Sequence, residues 1–242
     1  MWELSIELRQ EFSSPADYIY SCLKKEGSAF GAVITKHEKS DFISILLACE
    51  DYDKARLKIF AQNAIIEAIC THFKADYLNK FLALPIKEGI YFKALKKALL
   101  NFDKETDSFI ISKNLELEGN INLEAFYYFK LKNLREKWSE LINIANENGL
   151  FLVNNENFID LLKFLVDNLE ISHDTINVYF EGDKYKLLDS RSKVVATDED
   201  NEDLVCKLID LSPRQINIYG AKRQDENFNL LLKIYEKRVN LF

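Results

Sequence analysis

Residues 120–148 read NINLEAFYYFKLKNLREKWSELINIANEN, the longest unbroken helical pattern in the chain. Tyr127, Leu131, Leu134, Trp138, Leu141 and Ala145 recur at steps of four and three, which places them on one side of an α-helix. Leu123, Phe126, Ile142 and Ile144 widen that stripe beyond a coiled-coil seam, so a globular core is expected. Asn120 or Asn122 can cap the start by accepting an orphan backbone N–H. Gly149 suits the left-handed position past the end. Between Lys130 and Lys137 stand four cations, Lys130, Lys132, Arg135 and Lys137, against one anion, Glu136.

Outward from this stretch the chain reads as alternating mixed and helical regions. Trp2, Leu4, Ile6 and Leu8 alternate with polar residues, the pattern of a half-buried strand. Ser13-Ser14-Pro15 starts a helix that runs to about Lys25 and ends at Gly27, with Tyr18, Ile19, Cys22 and Leu23 inward. Strands follow at 32–36 and 42–48, so the N-terminal unit is β-α-β-β. Residues 52–82 form a long helical pattern with a wide apolar face, and 88–101 form a further helix. Phe109-Ile110-Ile111 fits a short strand or a helical turn.

Beyond the central stretch, 155–169 is helical, with Phe158, Leu161, Leu162, Leu165 and Val166 apolar. Ile176–Phe180 and Tyr185–Leu188 flank the turn Glu181-Gly182-Asp183-Lys184 as a hairpin, which Val194-Val195 can extend or pair with. A helix at 199–211 stops at Pro213. A strand, Gln215–Tyr219, closes at Gly220, and a last helix covers 225–238. The expected class is α+β: an N-terminal β-α-β-β unit (1–50), a helical region (51–172) and a C-terminal β-β-α-β-α unit (173–242), which can also pack as one compact domain.

Composition narrows the function classes. The chain has 242 residues, 48% of them hydrophobic, ample for a sizeable core. A net charge of −7 argues against a general nucleic-acid binder, because phosphate contacts need a basic surface; a local basic face remains open. Cys22, Cys49, Cys70 and Cys206 are far apart and form no CxxC pair, as expected of reduced thiols in a cytoplasmic protein. No run of about 18 apolar residues occurs, so no membrane span is expected; the N-terminus carries no basic leader pattern.

Ile121-Asn122-Leu123-Glu124-Ala125-Phe126 followed by Phe129-Lys130-Leu131-Lys132 is similar to the I-N-x-E-G-F pattern, with its aromatic and basic run, of the YtxC-like sporulation protein family of spore-forming Firmicutes. Phe158–Val166 resembles its second helix, Tyr185-Lys186-Leu187-Leu188-Asp189 its hairpin, and Leu211-Ser212-Pro213-Arg214-Gln215-Ile216 its late turn. Ala125 stands where the pattern has glycine, which implies that no backbone approaches closely there, and Lys130 where it has arginine, which weakens bidentate anion recognition. The resemblance implies a context, endospore formation, and carries no catalytic or cofactor residues.

Other chemistries find little support. Lys130, Lys132, Arg135 and Lys137 beside Phe126, Tyr127, Tyr128 and Phe129 can take an anionic partner or stack on bases; the ordinary reading is a solvated helix face, with Lys130, Arg135 and Lys137 projecting outward. Cys70 and His72 are two residues apart, on different sides of a helix, and make a poor zinc pair. Asp198, Asp200, Glu202 and Asp203 lack the glycine and distal glutamate of an EF-hand and suit the start of the following helix instead. Gly220-Ala221-Lys222-Arg223 before a helix is either an anion site or a plain turn. No GxSxG, GxxxxGK[ST] or GxGxxG occurs. The leading expectation is a non-enzymatic protein that acts by contacts with another protein and needs no cofactor. The alternatives are a nucleic-acid or polyanion-binding module using the basic face of helix 120–148, and an enzyme assembled from sequence-distant residues.

Overall fold

A computed structural model describes residues 1–27, 31–84, 88–149, 156–181, 184–198, 202–220 and 226–242. The class is α+β, and the chain forms two compact units: 1–81 with 105–140, and 82–104 with 141–242.

The first unit is built on a four-stranded sheet. β1 (Trp2–Arg9) pairs antiparallel with β3 (Phe42–Cys49), and β3 with β2 (Val33–Glu38). The expected β-α-β-β order is present, with α1 (Ser13–Gly27) between the first two strands. Period-two alternation puts Leu4, Ile6 and Leu8 of β1, and Ile43, Ile45 and Leu47 of β3, on the buried face. Covering that face are α1, α2 (Lys54–Ala68), a π-helical turn (Ile69–Phe73), α3 (Lys74–Phe81) and α5 (Lys104–Asn114). Phe109-Ile110-Ile111 therefore lies in a helix. Within the long helical stretch, Ile59 and Phe81 are exposed, which narrows its apolar face.

The central stretch departs from one continuous helix. Gly119, at φ +62°, turns the chain into a short strand, β4 (Gly119–Asn122), which runs parallel to β1 with Ile121 opposite Ile6. A four-residue strand is too short to show a period of its own, and its partner lies over a hundred residues away. One helical turn, α6 (Leu123–Ala125), leads into a π-helical turn (Phe126–Lys130). Leu131, at φ −104° and ψ 32°, then breaks the helix before α7 (Lys132–Gly149), which has Gly149 as its last residue. Tyr127, Leu131, Leu134, Trp138 and Ala145 are buried as their spacing predicts, and so is Ile142, whereas Leu141 of that stripe is half-buried and Ile144 is exposed.

The second unit is a five-stranded sheet in the order β7-β6-β5-β8-β9. β5 (His173–Glu181) forms the expected hairpin with β6 (Lys184–Asp189); Gly182 and Asp183 of its turn lie outside the described residues. β7 (Val194–Thr197) pairs with β6. β8 (Pro213–Tyr219) runs parallel to β5, and β9 (Val239–Leu241) parallel to β8. The C-terminal order is thus β-β-β-α-β-α-β: β7 is the pairing that the sequence left open for Val194-Val195, and β9, which has too few residues to show alternation, is additional. Pro213 begins β8, and the preceding helix ends at Ser212 in the left-handed conformation. α9 (Leu204–Leu211) and α10 (Glu226–Ile234) are the crossovers, and α4 (Ile90–Asn101) and α8 (Glu156–Asp167) pack with them. Ile176, Val178, Ile216 and Ile218 form the buried face of the sheet.

The opposite face of the second sheet carries two cross-strand ladders. Asn177, Asn217 and Asn240 are linked side chain to side chain at 3.0 and 3.1 Å. Tyr179, Tyr219 and Phe242 stack with ring centroids 4.6 and 5.0 Å apart. The central Tyr219 ring is thereby covered on both faces. The N- and C-terminal strands belong to separate sheets.

Candidate interaction surface

The sequence-predicted basic cluster lies on the segment 122–137, and its backbone is held from both sides. At the start, Asn122 Oδ1 accepts from the Ala125 N–H at 2.8 Å, the expected cap. Ala125 is helical, so the position makes no demand for glycine. Glu124 is buried and accepts from both the Arg9 backbone N–H and Arg9 Nε, the latter at 2.5 Å. That pairing raises the pKa of the Arg9 guanidinium and ties α6 to the end of β1. Tyr127 is buried against Phe73 and Trp138, at 4.9 and 6.2 Å between centroids, and burial pushes its hydroxyl pKa up.

From the other side, Arg135 reaches back along α7. Its Nη2 donates to the Tyr128 carbonyl at 2.5 Å, and the guanidinium lies 5.5 and 5.4 Å from the rings of Tyr127 and Tyr128. A carbonyl next to the break at Leu131 is thereby satisfied by a side chain, and the planar cation rests against two aromatic faces. Arg135 is thus folded back onto the protein instead of projecting outward.

Lys137 is also directed to a protein group. Its Nζ is 3.5 Å from Asp107 Oδ1. Asp107 is fully buried and accepts from Lys74 Nζ at 2.8 Å and from Trp138 Nε1 at 2.9 Å. Burial pulls the Lys74 pKa down, against the opposing pull of Asp107. Lys74, Asp107, Lys137 and Trp138 form one polar knot joining α3, α5 and α7.

What remains outward is compact. Phe129 is 81% exposed and Tyr128 43% exposed, at the crest of the π-helical turn. Lys130 and Lys132 are exposed, and Lys132 pairs loosely with Glu136 at 3.5 Å. The four cations therefore divide: Lys130 and Lys132 border an exposed aromatic pair, while Arg135 and Lys137 brace it. Arg9, Asp107 and Lys74 were not singled out by the sequence, and Glu124 only as a member of the I-N-x-E-G-F pattern. Lys74 follows the mixed segment Ile69-Cys70-Thr71-His72-Phe73, and its partner Asp107 is 33 residues away.

The remaining sequence candidates are dispersed. Cys70 Sγ lies 3.8 Å from Ser108 Oγ, and His72 Nδ1 lies 3.1 Å from Ser14 Oγ. Among the described residues no group of three or more His, Cys, Asp or Glu is placed to hold a metal ion. Asp200, Ala221, Lys222 and Arg223 lie outside the described residues. None of the four cysteines is in a disulfide. No helix among the described residues is long and apolar enough to cross a membrane.

Residues 93–240 match the model of the YtxC-like family, which is more than half of the chain. The chain belongs to the YtxC-like family. Comparisons with curated proteins and with solved structures give no match. The family span contains β4, the π-helical turn, Asp107, Glu124 and all four cations of the cluster, whereas Arg9 and Lys74 lie before it.

Proposed function

We propose that this protein serves endospore formation in the cytoplasm of spore-forming Firmicutes as a non-catalytic binding protein, and that it engages an acidic partner protein through Tyr128, Phe129, Lys130 and Lys132. Family membership supports the sporulation context. The observation that carries the binding reading is the exposure of Phe129 on a backbone held by Asn122, Glu124 and Arg135. A large aromatic side chain standing in water loses hydrophobic stabilisation, and a partner that covers it recovers that loss. Rigid aromatics are also the side chains that dominate interface energies, since little conformational entropy is lost when they are covered. The flanking lysines favour a partner with carboxylates at the rim.

A strain lacking the gene is expected to form fewer heat-resistant spores than its parent. Normal spore yield under several sporulation conditions would remove the sporulation role. The second reading, a polyanion such as nucleic acid on the same surface, rests on the adjacency of aromatics to Lys130 and Lys132. It predicts mobility shifts of a nucleic-acid probe that weaken steeply with salt. The protein-partner reading predicts no shift even at low ionic strength.

A further inference from the structure

The parallel strands of the second unit repeat one short pattern in register. Asn177-Val178-Tyr179 on β5, Asn217-Ile218-Tyr219 on β8 and Asn240-Leu241-Phe242 along β9 each read asparagine, aliphatic, aromatic. Strand pairing sets Asn177 beside Asn217 and Asn217 beside Asn240, with Val178, Ile218 and Leu241 as the next row. Parallel strands in register bring like side chains to about 4.8 Å, the spacing at which amides link and rings stack. Beyond β5 the pattern stops, because β6 is antiparallel and sets Leu188 beside Asn177 and Lys186 beside Tyr179. The rows therefore end openly at β9, the last strand in the sheet order.

Each row ends in a group that a further strand of the same pattern would match. Asn217 Nδ2 donates to Asn177 Oδ1 and Asn240 Nδ2 to Asn217 Oδ1, so the amides run head to tail and the Asn240 Oδ1 acceptor stands outermost. Tyr219 lies between Tyr179 and Phe242, and Phe242, stacked on its inner side, is 70% exposed. Val178 and Ile218 are fully buried, whereas Leu241, in the same row at the edge, is 60% exposed. The backbone agrees. The Ile216 N–H donates to the Arg238 carbonyl at 2.7 Å, and the Phe242 N–H donates to the Ile218 carbonyl at 2.8 Å. By strand alternation, the N–H and C=O of Val239 and Leu241 are directed to the outer edge. Residues 239–242 include neither lysine nor proline, which commonly blunt an edge strand.

We infer that the β9 edge receives an extended segment of another protein with the order asparagine, aliphatic, aromatic, added parallel to β9 and in register. Its amide donates to Asn240 Oδ1, its aliphatic side chain covers Leu241, and its ring stacks on Phe242. A second copy of this chain fits less well. Two β9 edges related by a twofold axis run antiparallel, and setting the two copies of Asn240 opposite each other would set Phe242 opposite Arg238 and end the ring row. The assignment is independent of the surface around Phe129, which belongs to the first unit.

The test is fluorescence anisotropy on the full chain with a labelled, capped peptide that copies Thr175–Tyr179 between terminal lysines. Saturable binding is expected. A peptide with its asparagine and tyrosine exchanged sets ring against amide and should bind about tenfold more weakly. Asn240→Ala removes the outer acceptor and should weaken the first peptide by roughly two- to tenfold. Leu241→Pro removes a backbone donor from the outer edge, leaves the Phe242 N–H on β8, and should abolish binding. Binding that does not saturate, preference for the exchanged peptide, or undiminished binding to Leu241→Pro would each overturn the assignment. So would a concentration-dependent dimer from which the peptide is excluded. The ring signals of Tyr179 and Tyr219 in NMR spectra of both variants separate loss of binding from loss of the sheet.

Discussion

Lys130 and Lys132 stand a few residues from Arg135 and Lys137, yet the two pairs have different physical roles. The first pair lies in solvent beside Phe129. The second is bound to the protein, Arg135 to a carbonyl and two rings, and Lys137 to the buried Asp107. What separates them is backbone geometry. The π-helical turn adds a residue to the turn, and the break at Leu131 restarts the helix, so positions that share a face on an ideal helical wheel no longer do. A run of like charges is thus not one patch until its backbone is known.

The largest effect should come from the inner side of this contrast. Asp107→Ala leaves the Lys74 ammonium and the Trp138 indole N–H buried without their acceptor. It should cost about 3–5 kcal/mol, the range for breaking one side of a buried pair. Both tryptophans, Trp2 and Trp138, lie in the first unit, so their fluorescence in a urea titration reports on it. The double replacement Lys74→Met with Asp107→Leu should recover most of the loss, because an apolar pair needs no desolvation of charge. A double variant as weak as the single one would show that the pair does more than neutralise itself.

Next in size is the brace at the front. Glu124→Ala removes the acceptor of two Arg9 donors, one of them backbone, and should cost about 1–3 kcal/mol in the same titration. Arg135→Ala should cost about 1 kcal/mol, since this side chain is only partly buried. It should also raise amide exchange at 128–131, where the π-helical turn loses its carbonyl partner. Exchange as slow as in the parent would assign the turn's rigidity to its own packing.

A smaller, pH-dependent effect belongs to His72. Burial holds its pKa below the ordinary 6.5. The unfolded chain therefore takes up a proton near pH 6.5 that the folded chain resists. Stability of the first unit should be full above that pH, fall as the pH drops toward the folded pKa, and level off below it. His72→Gln should flatten this slope; an unchanged slope would assign it to carboxylates.

Much of the fold was legible in the sequence, because most elements are long enough to show a period. The alternation of Trp2–Leu8 appears in the structure as read, and Tyr127, Leu131, Leu134, Trp138 and Ala145 are buried as their steps predict, although the helix that was to carry them is interrupted at Leu131. β4 and β9 are four and three residues long, and each is defined by a neighbour remote in sequence and not by its own pattern. The candidate site was legible in composition only. Sequence spacing places Lys130 and Lys137 in one cluster, but the acceptors that divide them, Asp107 and the Tyr128 carbonyl, are set by tertiary packing and by a break in the helix.

The smallest effect on stability should come from the outer residues. Lys130→Gln with Lys132→Gln, and Phe129→Ser in addition, should change unfolding free energy by less than about 0.5 kcal/mol, as for exposed positions without special partners. The most direct test of the account expresses this triple variant in the deletion strain and counts heat-resistant spores. The variant protein is expected to be as stable and as abundant as the parent, with spore yield at the level of the deletion. Parental spore yield from the triple variant, in a background where the deletion is impaired, would contradict it.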